Sequence, residues 1–301
     1  MAASEVLSIR QFYDLLDEAL QGVVGGTCWV EGEVSKLTVV RGHCYIDLVD
    51  PEDRSKNAGV LGLKCWQSRW TGVERSLAAV GVTLAPGMLI RVRGSVDLYR
   101  PRGSVGFIVE EVDVTALLGR LAVERAAIIE ALSAEGLLEA NGRRPLPMAP
   151  LRIGLVASQA TEGCKDFLGQ LRASPYAFEV LLCPATVQGA TAPAELRAAL
   201  DTLEQVAPPV DLVVMVRGGG AKADLQCFDD AQLARQIAAC SIPVWTGLGH
   251  TGDEAIADLV AARAHPTPTA CGAALVEHVS WAAARLEDAA GRVSEQVARL
   301  L

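Results

Sequence analysis

The hydrophobic and polar positions of the chain follow two different periods. From residue 27 to about residue 111, short segments rich in Val, Ile, Tyr and Trp partly alternate apolar with polar residues, and Gly or Pro separates them. These segments are TCWVEGEV, GHCYIDLVD, GVLGLKCW, MLIRVRGSVDLY and SVGFIVEEVDV. Five short strands within so few residues predict a small antiparallel β-barrel, and a five-stranded barrel of this size has the OB-fold architecture.

The second half of the chain has longer apolar runs. Residues 116–140 have helical spacing, and the following NGRRPLPMAP is rich in residues that interrupt regular structure. Beyond it, apolar runs of strand length alternate with helical segments; the runs are LRIGLVAS, FEVLLCPATVQG, VDLVVMVRGGG and IPVWTGLGH. This alternation predicts an α/β domain with a mainly parallel sheet and helices on both faces.

The complete pattern therefore predicts a multidomain chain that ends in a C-terminal helix. We expect the barrel over residues 1–115, a helical segment and Pro-rich linker over 116–150, the α/β domain over 151–277 and the start of a helical, coiled-coil-like region over 278–301. The stretch HPTPTACG, residues 265–272, is predicted to be extended, because each proline fixes its own φ and restricts the residue before it.

Composition narrows the class of protein. No apolar stretch approaches the ~18 to 20 residues of a membrane span, and the first residues lack the layout of a secretory signal, so we expect a cytoplasmic protein without a membrane partner. The net charge of -9 means that any nucleic-acid contact must come from a local basic patch or from the backbone. The 8 cysteines include no CxxC pair, which predicts neither a zinc site nor a disulfide framework.

Candidate nucleic-acid contacts lie on the predicted barrel. The segment YRPRGS places Tyr99, Arg100 and Arg102 at a hairpin tip, where an aromatic ring can stack on a base and guanidinium groups can pair with phosphates. Lys36 and Arg93 are further cationic candidates. The same residues also suit a solvated turn on a barrel that only packs against its neighbour, and both interpretations stay open.

Candidate chemistry lies after the strands of the predicted sheet. Each of the four apolar runs is followed by a loop with Gly or polar residues: ASQATEGCKD, TVQGATAP, RGGGAKAD and GLGHTGDE. In α/β sheets, ligands bind at the carboxyl ends of the strands. We therefore expect Ser158, Asp166, Arg217, His250 and Asp253 to meet at one edge of the sheet.

The glycine run after Arg217 suits a phosphate group. Gly218, Gly219 and Gly220 allow close approach of the backbone and present successive N–H groups, and Ser158 adds a hydroxyl. The guanidinium of Arg217 can hold a phosphate in a bidentate pair and stabilise its transition state. The spacing matches neither G-x-G-x-x-G nor the P-loop, so a dinucleotide or Walker-type site is not predicted. A simple tight turn is the structural alternative.

His250 and Asp253 form a second candidate pair. On a helical turn, residues three apart face the same way, which sets an imidazole beside a carboxylate. A neutral imidazole can accept a proton from water and a protonated one can donate it to a leaving oxygen, while the carboxylate orients the ring. The loop therefore suits general acid–base catalysis, with Asp166 as the second acid at the same edge.

Together these segments resemble the large subunit of exodeoxyribonuclease VII. The resemblance rests on GEVSKLTVVRGHCYIDLVD, RVRGSVDLYRPRGSVGFIVEEV, GLLEANGRRPLPMAPLRIGLVAS, VQGATAPAEL, RGGGAKADLQCFDD and GLGHTGDEAIADLVAARAHPTPTACG, in that family's order. It implies an OB-fold that binds single-stranded DNA, hydrolysis of that DNA from both ends to oligonucleotides, and assembly with a small helical subunit. The family's proposed catalytic residues match Asp166, Arg217, His250 and Asp253.

The resemblance also implies activity without a strict requirement for a metal cofactor. A Mg²⁺ ion shared through waters by Asp166, Asp253 and Asp258 stays an alternative. Ala221 and Ala223 stand where the family usually has serine and glutamate, which favours a relative that binds single-stranded DNA without cutting it. The acidic net charge favours a third hypothesis, an α/β phosphotransferase or hydrolase for small molecules.

Overall fold

The computed structural model describes residues 6–53, 55, 59–159, 161–189, 191–219, 222–249 and 254–300. The chain forms two compact units, residues 1–123 and residues 124–301.

The first unit is a closed five-stranded barrel, as predicted. Its strands run in the order β1-β2-β3-β5-β4, and every neighbouring pair is antiparallel except β3 and β5. The strands are β1 (Cys28–Val40), β2 (His43–Val49), β3 (Val60–Cys65), β4 (Leu89–Tyr99) and β5 (Ser104–Val112). The predicted OB-fold class is therefore confirmed.

The barrel core follows the period of two that the sequence shows. In β2, Cys44, Ile46 and Leu48 are buried while the residues between them face outward. Two helices that the sequence pattern did not predict accompany the barrel: α1 (Ile9–Val23), which has no buried residue, and α2 (Gln67–Ala79). Ser8 starts α1 with a reciprocal pair of hydrogen bonds to Gln11.

Helix α3 (Val114–Ala134) spans the boundary between the units. It ends six residues before the predicted limit of residue 140, so that part of the prediction is wrong. Gly136 has a φ of +69°, and the N–H of Leu137 donates to the carbonyl of Leu132 at 2.9 Å. This bond pattern is a helix stop of the Schellman type, in which glycine takes the left-handed residue.

The second unit contains a five-stranded, all-parallel sheet in the order β10-β9-β8-β6-β7. Its strands are β6 (Arg152–Ala157), β7 (Glu179–Pro184), β8 (Leu212–Val216), β9 (Val244–Gly247) and β10 (Arg263–His265). Its helices are α4 (Glu162–Ala173), α5 (Ala192–Glu204), α6 (Ala231–Ala239), α7 (Ile256–Val260) and α8 (Pro268–Leu300), with 3-10 turns at Asn141–Arg143 and Lys222–Asp229.

Both faces of the sheet are covered, as predicted for buried parallel strands. In β8, Leu212, Val214 and Val216 pack in the cluster that contains α4 and α8, whereas Val213 and Met215 pack in the cluster that contains α5, α6 and α7. The continuous apolar run in the sequence is therefore a strand with two buried faces.

The expectation that residues 265–272 are extended is wrong beyond Thr267. Helix α8 already begins at Pro268, and the hydroxyl of Thr267 accepts a hydrogen bond from the N–H of Ala270 at 3.0 Å. Proline suits the first helical position because its fixed φ is helical and its missing N–H is not needed there. Proline interrupts a helix in its interior, but at the first position, as at Pro268, it can start one.

Candidate active site and nucleic-acid interface

The loops after β6, β8 and β9 meet at the carboxyl edge of the sheet. The N–H of Arg217 donates to the carbonyl of Gly247 at 3.2 Å. A Cβ added to Gly163, at the start of α4, would lie 2.6 Å from the Cα of Gly218. A Cβ on Gly249, which has a φ of +76°, would lie 3.2 Å from the Arg217 carbonyl oxygen. The three loops therefore touch through their backbones, and any larger residue than glycine at position 163 would separate them.

Arg217 lies at the centre of this contact. It directly follows β8, and the residue is 3% exposed. Gly218 is half-buried and Gly219 is exposed, so backbone groups next to the arginine reach the surface. Gly220 lies outside the described residues.

Ser158 and Asp166 lie on the first of the three loops and on its helix. The carbonyl of Ser158 accepts hydrogen bonds from the N–H and the hydroxyl of Thr161, at 3.2 and 2.8 Å, which closes the turn into α4. Asp166 is exposed and lies about one turn along α4 from Gly163, the residue that contacts Gly218. The structure thus brings Ser158, Asp166 and Arg217 to one edge.

His250 and Asp253 lie outside the described residues. The main chain that follows them is held by hydrogen bonds to side chains. Asp258, on α7, accepts hydrogen bonds from the hydroxyl of Thr246 and from the N–H of Ala255, the latter at 3.1 Å. Asp258 is buried, with 5% of its surface exposed. Its two oxygens therefore already bind protein groups that hold the start of α7.

A second carboxylate, which the sequence reading did not single out, also holds this segment. The N–H of Ile256 donates to Asp229 Oδ1 at 2.8 Å. Arg125, on α3, lies 3.9 Å from Asp229 Oδ2 and donates to the carbonyl of Glu254. The main-chain groups of Glu254, Ala255 and Ile256 are thus bound by three separate side chains. No local sequence pattern signals these bonds, because their partners are far apart along the chain.

At the hairpin tip of the barrel, Tyr99 is exposed and Arg100 is paired. The guanidinium of Arg100 donates to Asp14 at 2.7 Å and to Asp17 at 3.3 Å, both on α1. Arg102 is exposed, and no carboxylate of the described residues lies within salt-bridge distance of it. The two arginines predicted to contact phosphates therefore differ, because Arg100 is ion-paired with α1 and Arg102 has no such pair among the described residues.

An aromatic row continues from the hairpin tip across the barrel surface. We define it as Tyr45, Lys64 and Tyr99. Lys64 Nζ lies 5.0 Å from the ring centroid of Tyr99 and 3.0 Å from Asp97 Oδ2, and Lys64 is the cross-strand neighbour of Tyr45. Tyr45 is 40% exposed. It escaped the sequence reading, although its outward position in the alternation of β2 could have revealed it.

The structure places the remaining barrel candidates differently. Lys36 is exposed and pairs across the strands with Asp47, one outward position from Tyr45 on β2, so it borders the aromatic row. Arg93 instead forms an ion pair with Glu111 at 2.8 Å and lies 5.9 Å from the ring centroid of Trp29. It precedes Tyr99 by six residues on β4, roughly 20 Å along an extended strand, and does not join the hairpin tip.

The cysteines and acidic residues give no further site. All eight cysteines are free thiols, and burial raises the pKa of Cys44 and of Cys240 to about 12, so both stay protonated. Among the residues that the structure describes, no group of three or more His, Cys, Asp or Glu side chains is arranged to hold a metal ion. Within the same residues, no helix is long and apolar enough to cross a membrane.

Comparison with known families matches both units. The model of the OB-fold nucleic acid binding domain matches residues 7–113, and the model described as exonuclease VII, large subunit, matches residues 137–301. The first match is consistent with the barrel, and the second covers the whole parallel sheet and α8.

Curated relatives extend the likeness over nearly the whole chain. The exodeoxyribonuclease 7 large subunit of Azotobacter vinelandii is 33% identical over 298 residues, which are 99% of this chain and 62% of that protein. The protein of the same name from Neisseria gonorrhoeae is 32% identical over 291 residues, 96% of this chain and 61% of that protein. The chain thus spans about six tenths of the length of these relatives. It belongs to the exonuclease VII large-subunit family.

Proposed function

We propose that the chain hydrolyses phosphodiester bonds of single-stranded DNA from both the 5′ and the 3′ end and releases oligonucleotides. Family membership supports exonuclease chemistry, and the OB-fold supports nucleic-acid binding. The observation that carries the proposal is the backbone contact of three strand-end loops around the buried Arg217. Such an edge is where parallel α/β sheets bind ligands.

In this proposal, Arg217 and the backbone of residues 218–220 hold the scissile phosphate. The exposed backbone at Gly219 can donate to phosphate oxygens, and the guanidinium offsets the charge that develops as water attacks. The amino terminus of α4 lies against Gly218 and adds a partial positive charge. Glu162, the first residue of α4, forms an ion pair with Lys165 at 3.1 Å, which reduces its repulsion of a phosphate.

The proton transfers are assigned to His250, with Asp253 as the group that orients its ring. Asp166 is the second acid and positions the attacking water or serves the opposite proton transfer. These roles are supported by the match of the four residues to the family pattern and by the exposure of Asp166 beside the Gly218 contact. A magnesium ion is an alternative source of the activated water.

The barrel is proposed to bind the strand through the aromatic row and the hairpin tip. Bases stack on aromatic side chains regardless of sequence, which suits an enzyme that must move along any single strand. Tyr45, Tyr99 and Arg102 are exposed, and Lys36 borders them. Arg93 is the candidate that this geometry supports least, because it faces Trp29.

Assembly with a small helical subunit is proposed for α8. The name of the relatives implies a smaller partner, and Leu286, Val293 and Val297 on α8 are 69%, 60% and 50% exposed. Their spacing of seven and four residues is that of a stripe that pairs with another helix.

The test uses single-stranded DNA labelled at either end, in excess chelator and in Mg²⁺, with a duplex of the same sequence as substrate control. We expect short labelled products from both single strands with the parent chain and none with Arg217→Ala. Arg172→Ala, which removes an exposed arginine at the other end of α4, should cleave at the parent rate.

Intact DNA under both ionic conditions, together with a gel shift of the same strand, would contradict cleavage and leave the binding relative as the function. Products in Mg²⁺ alone would support the metal version of the chemistry. Cleavage by Arg217→Ala at the parent rate would remove the proposed phosphate site.

A further inference from the structure

The segment that follows the glycine loop is fixed in the core of the second unit. We call residues 217–221 the glycine loop and residues 248–254 the histidine loop. The 3-10 turn Lys222–Asp229 leaves the glycine loop, and its Leu225, Cys227 and Phe228 are buried among the side chains of α5, α6 and α7. Asp229, the last residue of this turn, therefore follows a segment that is fixed by core packing.

Asp229 connects that base to the end of the histidine loop. Its Oδ1 accepts the N–H of Ile256 at 2.8 Å, two residues beyond Glu254. Ile256 is itself fully buried, so the accepted bond fixes the point where the histidine loop enters α7. One side chain thus joins the segments that leave the two loops.

Arg125 completes the connection. It lies 3.9 Å from Asp229 Oδ2 and donates to the carbonyl of Glu254, so the pair binds main-chain groups on both sides of Ala255. The side chains of Arg125 and Asp229 are 38% and 33% exposed. A partly exposed ion pair adds little to stability. Its consequence is geometric: it sets where the histidine loop ends relative to the glycine loop.

We propose that Asp229 is a positioning residue, which with Arg125 fixes the point where the chain enters α7 relative to the turn that leaves the glycine loop, and that the chemistry assigned to Arg217 and His250 depends on this placement. The inference rests on the proposed function for its catalytic consequence. A displacement of about 1 Å between catalytic groups can lower a rate by roughly 100-fold.

The first test measures the local stability of the loops and does not depend on DNA cleavage. Amide hydrogen exchange of the parent, Asp229→Ala and Asp229→Asn is compared in peptides over residues 247–258 and over β6. We expect faster exchange over residues 247–258 in Asp229→Ala and no change in β6. Asp229→Asn should lie between, because its amide oxygen still accepts the Ile256 N–H but no longer attracts Arg125.

Asp211→Ala is the matched control. Asp211 also accepts main-chain N–H groups, those of Leu151 and Arg152 at 2.9 and 2.8 Å, but it does so before β8, at the opposite edge of the sheet. It should leave exchange over residues 247–258 unchanged. Parent-like exchange there in Asp229→Ala, or an equal increase in Asp211→Ala, would overturn the coupling.

The second test separates position from folding. We expect Asp229→Ala to lower kcat by about 10-fold to 100-fold while KM and the Kd for single-stranded DNA stay within about twofold of the parent. Asp229→Asn should recover part of the loss, and Arg125→Ala should resemble Asp229→Asn. A parent-like kcat in Asp229→Ala would overturn the positioning role alone. Failure of the parent itself to cleave would overturn the proposed function, and hydrogen exchange would still decide whether the loops are coupled.

Discussion

The barrel and the sheet edge hold their candidate residues by different means. On the barrel, Arg100, Lys64 and Arg93 form ion pairs with partly exposed carboxylates. At the sheet edge, Arg217 is buried and its neighbours are glycines in backbone contact. Exposed ion pairs contribute roughly 0 to 1 kcal/mol each and exchange readily for phosphates, whereas close-packed backbone cannot adjust. The comparison indicates a barrel suited to reversible binding and an edge suited to fixed geometry.

After the loss expected for Arg217→Ala, the largest expected effect comes from one methyl group at the edge. Gly163→Ala places a Cβ 2.6 Å from the Gly218 Cα, which forces the first two loops apart. We expect cleavage to fall by roughly 100-fold and stability to fall by about 1 to 3 kcal/mol. Cleavage rate, thermal unfolding and a gel shift measure these effects, and the affinity of the barrel for DNA should not change.

Gly169→Ala is the control on the same helix, because a Cβ there meets nothing within 4 Å. It should raise helix stability by up to about 1 kcal/mol and leave cleavage unchanged. Equal rates for the two variants would show that the contact between α4 and the glycine loop has no part in the chemistry.

The next effect concerns affinity alone. Tyr45→Ala and Tyr99→Ala each remove an exposed ring of the aromatic row and should weaken binding of single-stranded DNA by about 1 to 3 kcal/mol. The rate at saturating DNA should stay near that of the parent. Trp29→Ala is matched in exposure, 47% against 40% for Tyr45, and should bind as the parent does. Equal losses from Trp29 and Tyr45 would move the interface to another face of the barrel.

A smaller effect of opposite sign is expected at α1. Asp14→Asn removes one of the two carboxylate charges that hold the Arg100 guanidinium, at 2.7 Å from Asp14 Oδ1, and should make that guanidinium more available to a phosphate. We expect affinity to rise by about twofold to fivefold and the salt dependence of binding to become steeper by up to about one phosphate contact. Glu18→Gln removes the same charge from α1 without touching Arg100. An equal gain from both variants would mean that only net charge matters.

The smallest expected effect is a pH dependence of stability that comes from His265, in the second unit. Burial, assisted by the nearby Arg263, holds the pKa of His265 below its ordinary value of 6.5. The unfolded chain therefore binds the proton first, and stability should decrease as the pH falls below the unfolded value. Urea unfolding near pH 7.5 and near pH 5.5 measures the change. His265→Asn should reduce this pH dependence of the free energy of unfolding. If the variant keeps the full dependence, a group other than His265 is responsible for it.

Burial patterns explain why most of the fold is readable from the sequence. Alternation revealed the barrel strands, and continuous apolar runs revealed the buried parallel strands, because both report a local environment. Helix α1 was missed although Ser8 and Gln11 have the spacing of a capping box, which could have revealed its start. Residues 268–272 were misread because proline has opposite meanings inside a helix and at its first position.

The sequence predicts the position of a site residue only where the sheet topology alone determines that position. Ser158 and Arg217 follow neighbouring parallel strands, so the sheet alone places them at one edge. The Arg100–Asp14 bond joins residues 86 positions apart and the Ile256–Asp229 bond residues 27 apart, and no local pattern reports such partners. The roles of Ser158, Asp166 and Arg217 stay predictions, as do those of His250, Asp253 and Gly220, which lie outside the described residues.

Helix α8 links the end of β9 to a distant surface. Pro268 and Cys271, in its first turn, lie against Gly247: a Cβ on that glycine would be 3.3 Å from the Pro268 Cα and 3.1 Å from the Cys271 Cβ. From there the helix continues for 33 residues, about 50 Å, and its last turns are exposed. An α-helix of this length is a stiff lever arm. A force applied to its exposed last turns would therefore act on the last residue of β9, immediately before the histidine loop.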